Sequence, residues 1–319
     1  MTGGKLFDLH CDTLTRDMYP GRGRTPGRGT LNDPKFHLAV DKMPAGTRWV
    51  QCFAVFVPDC LRGQAAADFF DRYAESYHAQ MEGLSDRMAD CGSFAQMEAA
   101  LAAGKFAGVL TVEGGAALAG DLRRVETLRR SGVRMLTLTW NGPNELGSGH
   151  DTPMGLTGLG REAVAELEAQ GIVADVSHLN DRGFEDLLAA AKKPFAASHS
   201  NARSVCPHRR NLPDEFIREM AARHCLIGLN FSRGFLSRDK NGGGLEDLCR
   251  HVFRFLELGA EKNLALGSDY DGTDIHPELD SVEKALGIRD YLVARGVPAE
   301  TADGIVFDNA RRFFSRAMA

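Results

Sequence analysis

The feature that most constrains this chain is a series of eight short apolar runs spaced through its 319 residues. They are Leu6 to Leu9, Trp49 to Val57, Phe106 to Val112, Met135 to Thr139, Ile172 to Val176, Pro194 to Ala197, Leu226 to Phe231 and Leu264 to Gly267. Each is too continuously apolar to be a strand with one wet face, so each predicts a strand buried on both sides. Between them lie stretches of helical period, at Gly160 to Gly171, Asp181 to Lys192, Asp214 to Arg223 and Gly244 to Gly259. Asn180-Asp181 and Pro213-Asp214 place capping and acidic residues at helix starts. Gly104, Gly132, Gly171 and Gly259 fall between a helical stretch and the next apolar run. Strands alternating with helices eight times predict an α/β fold, the closed (β/α)8 TIM barrel. A doubly wound open sheet is the competitor, but no GxGxxG follows the first run. The expectation is a single barrel domain over 1–319, with extended loops between strands and helices, including 17–48.

Composition narrows the partners. Thirty-eight basic and 43 acidic residues give a net charge of -5, with no sustained basic run, so neither nucleic acid nor an anionic membrane is expected as a partner. Arg22, Arg24 and Arg28 lie in GRGRTPGRG (21–29), which reads as part of a long loop after the first strand. No apolar stretch reaches the ~18 residues of a membrane span, and Met1 to Phe7 contains no signal-like segment. Seven cysteines are odd in number and lack a CxxC pair, which suggests a reducing, cytoplasmic setting. The 35 glycines, about 11% against the usual ~7%, call for many tight turns or a flexible segment.

In such a barrel the chemistry collects at the C-terminal ends of the strands. The residues there are His10-Cys11-Asp12, Glu113, His178, His199 and Asp269. Singly each has an ordinary explanation: a satisfied buried histidine, a turn carboxylate, a helix cap. Together, three imidazoles and three carboxylates at one rim form a set suited to Zn²⁺. His10 and Asp12, two apart on an extended chain, face the same way, while Cys11 faces the other. Six ligands exceed the need of one tetrahedral ion and match two ions bridged by a carboxylate. A lysine-based aldolase is disfavoured, since no strand end carries a lysine. The Phe69, Phe70, Tyr73 and Tyr77 stripe has helical spacing and reads as core or subunit contact.

The motifs Asp8-Leu-His-Cys-Asp12, Val112-Glu-Gly-Gly115, Asp175-Val-Ser-His178, Ser198-His-Ser-Asn-Ala202, Arg209-Arg-Asn-Leu-Pro213 and Gly267-Ser-Asp-Tyr-Asp-Gly272 resemble the membrane dipeptidase (renal dipeptidase) family of zinc peptidases, in the amidohydrolase superfamily. The resemblance runs from Phe7 to the chain end. It implies hydrolysis of dipeptides, including L,D-dipeptides, by a hydroxide held between two Zn²⁺ ions. It implies His10, Asp12 and Glu113 as ligands of one ion, and Glu113, His178 and His199 as ligands of the other. It implies Asp269 as the proton-handling carboxylate, Arg210 as the grip on the substrate carboxylate, Trp140 and Asn141 beside the substrate, and a homodimer. Two positions depart from the pattern. Leu138-Thr139-Trp140 replaces a Leu-Thr-His run found in many members, and Phe235 stands where a tyrosine is common. The competing activities are another amide or lactone hydrolysis at the same ligands, or metal binding without catalysis. His37, His150, His208 and His276 are not expected as ligands, although His150 and Asp151 are a candidate substrate contact.

Overall fold

The computed structural model describes residues 4–16 and 30–318. Among them nine strands form one parallel sheet: β1 (Lys5–Asp8), β2 (Arg48–Phe56), β3 (Met88–Asp90), β4 (Phe106–Glu113), β5 (Met135–Thr137), β6 (Val173–Asp175), β7 (Ala196–Ala197), β8 (Leu226–Leu229) and β9 (Leu264–Leu266). Eight of these follow one another round a ring, β1-β2-β4-β5-β6-β7-β8-β9. Asp8 pairs with Leu266, which closes the ring and makes it a (β/α)8 barrel, excluding the open sheet. All eight apolar runs lie on these eight strands.

The ninth strand, β3, is one the runs do not announce. It has three residues, of which only Met88 is fully buried, so it carries no apolar signature. It pairs with Phe106, Ala107 and Gly108 at the start of β4, below the point where β5 joins at Thr111.

The helices pack their apolar faces on this barrel. Gly158–Gln170 begins with the Thr157 hydroxyl accepting from Gly160 N, buries Ala163, Val164 and Leu167, and ends on Gly171 in the left-handed conformation. Asp181–Ala190 is capped by Asn180 as the sequence predicts. In Gly63–Gly83 the Phe69, Phe70, Tyr73 and Tyr77 stripe is buried within the chain, which makes it core. Phe7 of β1 stacks on Phe314 of the last helix, Asn309–Ala317, with ring centroids 5.2 Å apart.

The strands stop short of their apolar runs because the backbone turns to build the rim. Ser198 N donates to the Asp175 carboxylate and Ser200 N to Gly228 O. Here two glycines are required by close approach. A Cβ on Gly228 or Gly267 would lie 1.9 or 1.8 Å from the Ser198 carbonyl oxygen. Their bare backbones let Ser198, and with it His199, sit deep between β8 and β9. The second half of the 17–48 loop is packed, with Leu31, Leu38 and Val40 buried. The GRGRTPGRG segment lies outside the described residues.

Candidate active site

Two buried aspartates hold the rim in the same way on separate parts of the barrel. Asp8, ending β1, accepts from His10 N (3.5 Å), Ser268 N (2.8 Å) and Ser268 Oγ (2.5 Å). Asp175, ending β6, accepts from Ser177 N (3.0 Å), Ser198 N (2.8 Å) and Ser198 Oγ (2.6 Å). Each carboxylate thus ties its own strand to a serine beyond the neighbouring strand. Asp8 fixes the segments bearing His10 and Asp269, and Asp175 those bearing His178 and His199.

The five metal-type residues and Asp269 meet above these ties, all buried. Glu113 is central. Its Oε1 lies 2.8 Å from His178 Nε2 and 3.6 Å from His199 Nε2, and its Oε2 lies 3.7 Å from His10 Nε2. His10 Nε2 is also 3.5 Å from Asp12 Oδ2. Cys11 turns away, its thiol toward the Cys52 carbonyl at 3.4 Å. Ligand atoms of His10, Glu113 and His199 converge as one group, and those of His10, Asp12 and Asp269 as another.

The hydrogen bonds set the tautomers. Ser198 Oγ donates to Asp175, so at 2.7 Å it accepts from His199 Nδ1–H. Asn141 Oδ1, also at 2.7 Å, accepts from His178 Nδ1–H. Both Nε2 atoms therefore present lone pairs, 2.9 Å apart, toward Glu113. Burial, then nearby positive groups, hold both imidazoles well below their usual range, and hence neutral. Neutral imidazole with Nδ1–H engaged is the ligating form of histidine.

The carboxylates tell the same story from the other side. Burial, with Asp12 beside it, pushes Glu113 well up. Burial raises Asp269 to about 7, against the pull of His10. Burial alone lowers the His10 value, but the Asp12 and Glu113 carboxylates outweigh it and carry it to about 10. Acids packed this densely call for positive charge among them. His10 Nε2 and Asp12 Oδ1 are buried without a hydrogen-bond partner among the described residues. This donor set, imidazole lone pairs and hard oxygens, fits divalent cations of the zinc type.

Backbone conformation is unusual where the chemistry sits. His178 and Asp269 have φ of 73° and 63°, a region costly for residues with a Cβ and concentrated at functional sites. Asp269 Oδ2 is held by Asn230 Nδ2 at 3.0 Å.

Above the cluster opens a cavity of about 170 Å³ lined by Phe56, Trp140, Asn141, His150, Arg210 and Phe235 among others. The buried Arg210 guanidinium lies over the Phe235 ring, 5.6 Å from its centroid. Its Nε and Nη2 have no hydrogen-bond partner among the described residues, and burial brings it down to about 10. A buried, unpaired fork of this kind is matched to a carboxylate. Trp140 packs edge-on against Phe56, and Asn141 is engaged with His178 while lining the cavity. His150 also lines it, held down to about 4 by burial and then by Arg210.

Every expected site residue thus comes to this one rim. Sequence reasoning passed over Asn230, Asp8, Asp175 and Asp271. Asn230 follows β8 at the rim, where the strand-end rule would have found it had the seventh run been cut at Leu229. Asp271 accepts from Thr13 Oγ1, His37 N and Leu38 N, docking the 30–38 segment beside the site.

A closed parallel barrel bearing this cluster at its C-terminal rim defines a metal-dependent hydrolase of the barrel class. The chain belongs to the membrane dipeptidase family, peptidase family M19, whose model matches residues 1–319, and it is a metallo-dipeptidase. An uncharacterised protein of the pqqA 5′ region of Klebsiella pneumoniae is 31% identical over 234 residues, 70% of this chain and 86% of that protein. Among solved structures, the metallopeptidase dipeptidase AC of family M19 superimposes with a TM-score of 0.90 at 27% identity, covering 100% of this chain and 99% of the other. A metallopeptidase from Rhodobacter sphaeroides, liganded with a phosphinate mimic of the dipeptide L-Ala-D-Ala, gives 0.89 at 26% identity, with 99% of each chain covered. No helix among the described residues is long and apolar enough to cross a membrane.

Proposed function

We propose that the protein hydrolyses small dipeptides, including those with a D-residue at the C-terminal position, with two Zn²⁺ ions held at the barrel rim. The observation that carries this reading is the position of Glu113 among three imidazole nitrogens, below the unpaired Arg210 guanidinium. His10, Asp12 and Glu113 would hold one ion, and Glu113, His178 and His199 the other. Bound there, such ions polarise the scissile carbonyl and bring the pKa of water toward about 7, so that a nucleophile forms at neutral pH.

The chain's own groups do the rest. Arg210 pairs with the C-terminal carboxylate and sets the distance from that end of the substrate to the reacting carbonyl. Asp269, oriented by Asn230, takes the proton of the attacking water and delivers it to the leaving amine. Asn141 keeps His178 in its ligating tautomer. Trp140 and Phe56 form an apolar wall beside the substrate and exclude water. The likeness to the Rhodobacter enzyme supports the L,D preference. All seven cysteines are free and six are buried, which supports a reducing, cytoplasmic compartment.

The test is a panel of L,L and L,D dipeptides, their C-terminal amides and tripeptides, with bound metal measured on the same preparation. The expected result is two zinc ions per chain and hydrolysis confined to substrates with a free carboxylate at dipeptide length. Equal turnover of the amides would remove the role given to Arg210. Activity without metal would remove the reading as a whole.

A further inference from the structure

We propose that Arg16 selects dipeptides whose N-terminal residue carries an acidic side chain, its guanidinium pairing with that side-chain carboxylate. The proposal rests on the dipeptidase reading above and specifies which dipeptides the site takes. Two arginines line the cavity, Arg210 and Arg16. The histidines that line it, His150, His178 and His208, are held below their usual range by burial and are neutral. The two guanidinium groups are therefore the fixed positive charges of the cavity wall. The C-terminal carboxylate takes one of them. Nothing in a dipeptide backbone matches the other, so its counterpart belongs to a side chain.

The two arginines stand on different sides of the rim. Arg210 follows β7 and Arg16 follows β1, three places away in the ring of eight strands. The Arg210 charge acts on Glu113, Asp269 and His178, whereas that of Arg16 acts on His37. In a dipeptide the C-terminal carboxylate and the N-terminal side chain lie on opposite sides of the scissile bond. With the carboxylate on Arg210 and the carbonyl at Glu113, the N-terminal residue extends toward the turn after β1.

Arg16 is exposed but anchored. Its Nη1 donates to the Asp271 carbonyl at 2.8 Å. Asp271 is itself buried, with φ of 67°, and its carboxylate accepts from Thr13 Oγ1, His37 N and Leu38 N. Thr15 N donates to Asp12 O at 2.9 Å and closes the turn that leads into Arg16. The residue after the anchor, Gly272, lies against the cluster: a Cβ there would fall 2.1 Å from Asp12 Oδ2 and 2.4 Å from Asp269 Oδ1. One residue thus separates the carbonyl that holds Arg16 from the carboxylates of the site. Arg209, at the same mouth, is engaged with His150 O at 3.1 Å and Asp151 Oδ1 at 3.7 Å. Arg16 makes no ion pair among the described residues, and its Nε and Nη2 donate to none of them. A planar fork held at one nitrogen and open along its Nε–Nη2 edge is matched to a carboxylate.

The experiment compares the wild type with R16A and R16E. It measures kcat and KM on L-Glu-D-Ala, L-Gln-D-Ala and L-Lys-D-Ala, bound metal, and the affinity of phosphinate analogues of Glu-Ala and Gln-Ala. The wild type is expected to prefer L-Glu-D-Ala to L-Gln-D-Ala by about fivefold or more in kcat/KM, and to do so through KM. The pairing lies away from the reacting carbonyl and holds ground and transition states alike. Because the pair is exposed, the preference shrinks as salt is added. In R16A the ratio falls to within about twofold of unity, and in R16E the preference turns to L-Lys-D-Ala. The proposal is overturned if the wild type treats the Glu and Gln substrates alike, if the preference survives in R16A, or if R16A loses metal. It is overturned equally if the acidic preference falls on the C-terminal residue, in L-Ala-D-Glu against L-Ala-D-Gln. A wild type that binds the phosphinates but cleaves no dipeptide would defeat the dipeptidase reading, and the ratio of the two phosphinate affinities across the variants would still decide the Arg16 pairing.

Discussion

Replacing His199 with alanine deletes one of the lone-pair nitrogens facing Glu113, and the expected result is loss of bound metal and of turnover together. Metal analysis and a dipeptide assay on one preparation check it; full activity would sink the ligand assignment. At this scale the sequence was highly legible for a physical reason. A barrel turns buried apolar strands into polar rim residues within a few positions, so the titratable side chains just after several of the runs fall at the site. The residues passed over act on other residues. Asp175, through Ser198, decides which nitrogen of His199 carries the proton, as Asn141, expected beside the substrate, does for His178. Such roles depend on which strand lies beside which, and no spacing along the chain encodes that.

Among the elements, one of the tightest contacts is that of the Ser198 carbonyl with Gly228 and Gly267, where a Cβ added to either glycine would also fall 3.1 or 3.2 Å from the other's Cα. A methyl group at Gly267 meets backbone, which has no rotamer to yield. Gly267→Ala is therefore expected to cost about 1–3 kcal/mol of stability and to weaken metal binding by displacing His199. Thermal unfolding with and without added Zn²⁺, plus metal titration, reads both effects; unchanged values for both would show that the rim relaxes freely there. The same elements show what apolar patterning reveals. Eight strands were visible because each is buried on both faces. The strand Met88–Asp90 was not, because a single buried methionine leaves no period to detect. The excess of glycine was visible as a number, but Gly228 and Gly267 have their reason only in a neighbouring backbone.

For the molecule as a whole, stability should depend on pH through groups far from the rim. His78, on the Gly63–Gly83 helix, bonds the Asp90 carboxylate at 2.7 Å and the Ser131 carbonyl at 3.1 Å, joining three parts of the shell. The bond to Asp90 raises the His78 pKa above its ordinary value near 6.5. A raised histidine contributes stability that is fully present below the unfolded value and is lost as pH rises through the folded one. His78→Gln is therefore expected to lower Tm at pH 5.5 relative to wild type, with the gap narrowing as the pH rises above 6.5 and through the raised folded value. Calorimetry across that range checks it, and a gap that widened with pH would reverse the sign of the argument. The architecture was chosen from the sequence by alternation and by the missing dinucleotide fingerprint. The deciding fact, Asp8 pairing with Leu266, lies between residues at opposite ends of the chain.

That pairing has a consequence for how the protein comes into being. The Asp8 to Ser268 bonds span 260 positions, and they are what bring Asp269 beside His10 and Asp12. A chain emerging residue by residue carries its first two metal-type side chains from the outset, but their counterpart arrives only after most of the polypeptide has been made. The full rim therefore cannot assemble on a nascent fragment. Activity, which needs Asp269 beside that cluster, begins only when the last strand closes on the first.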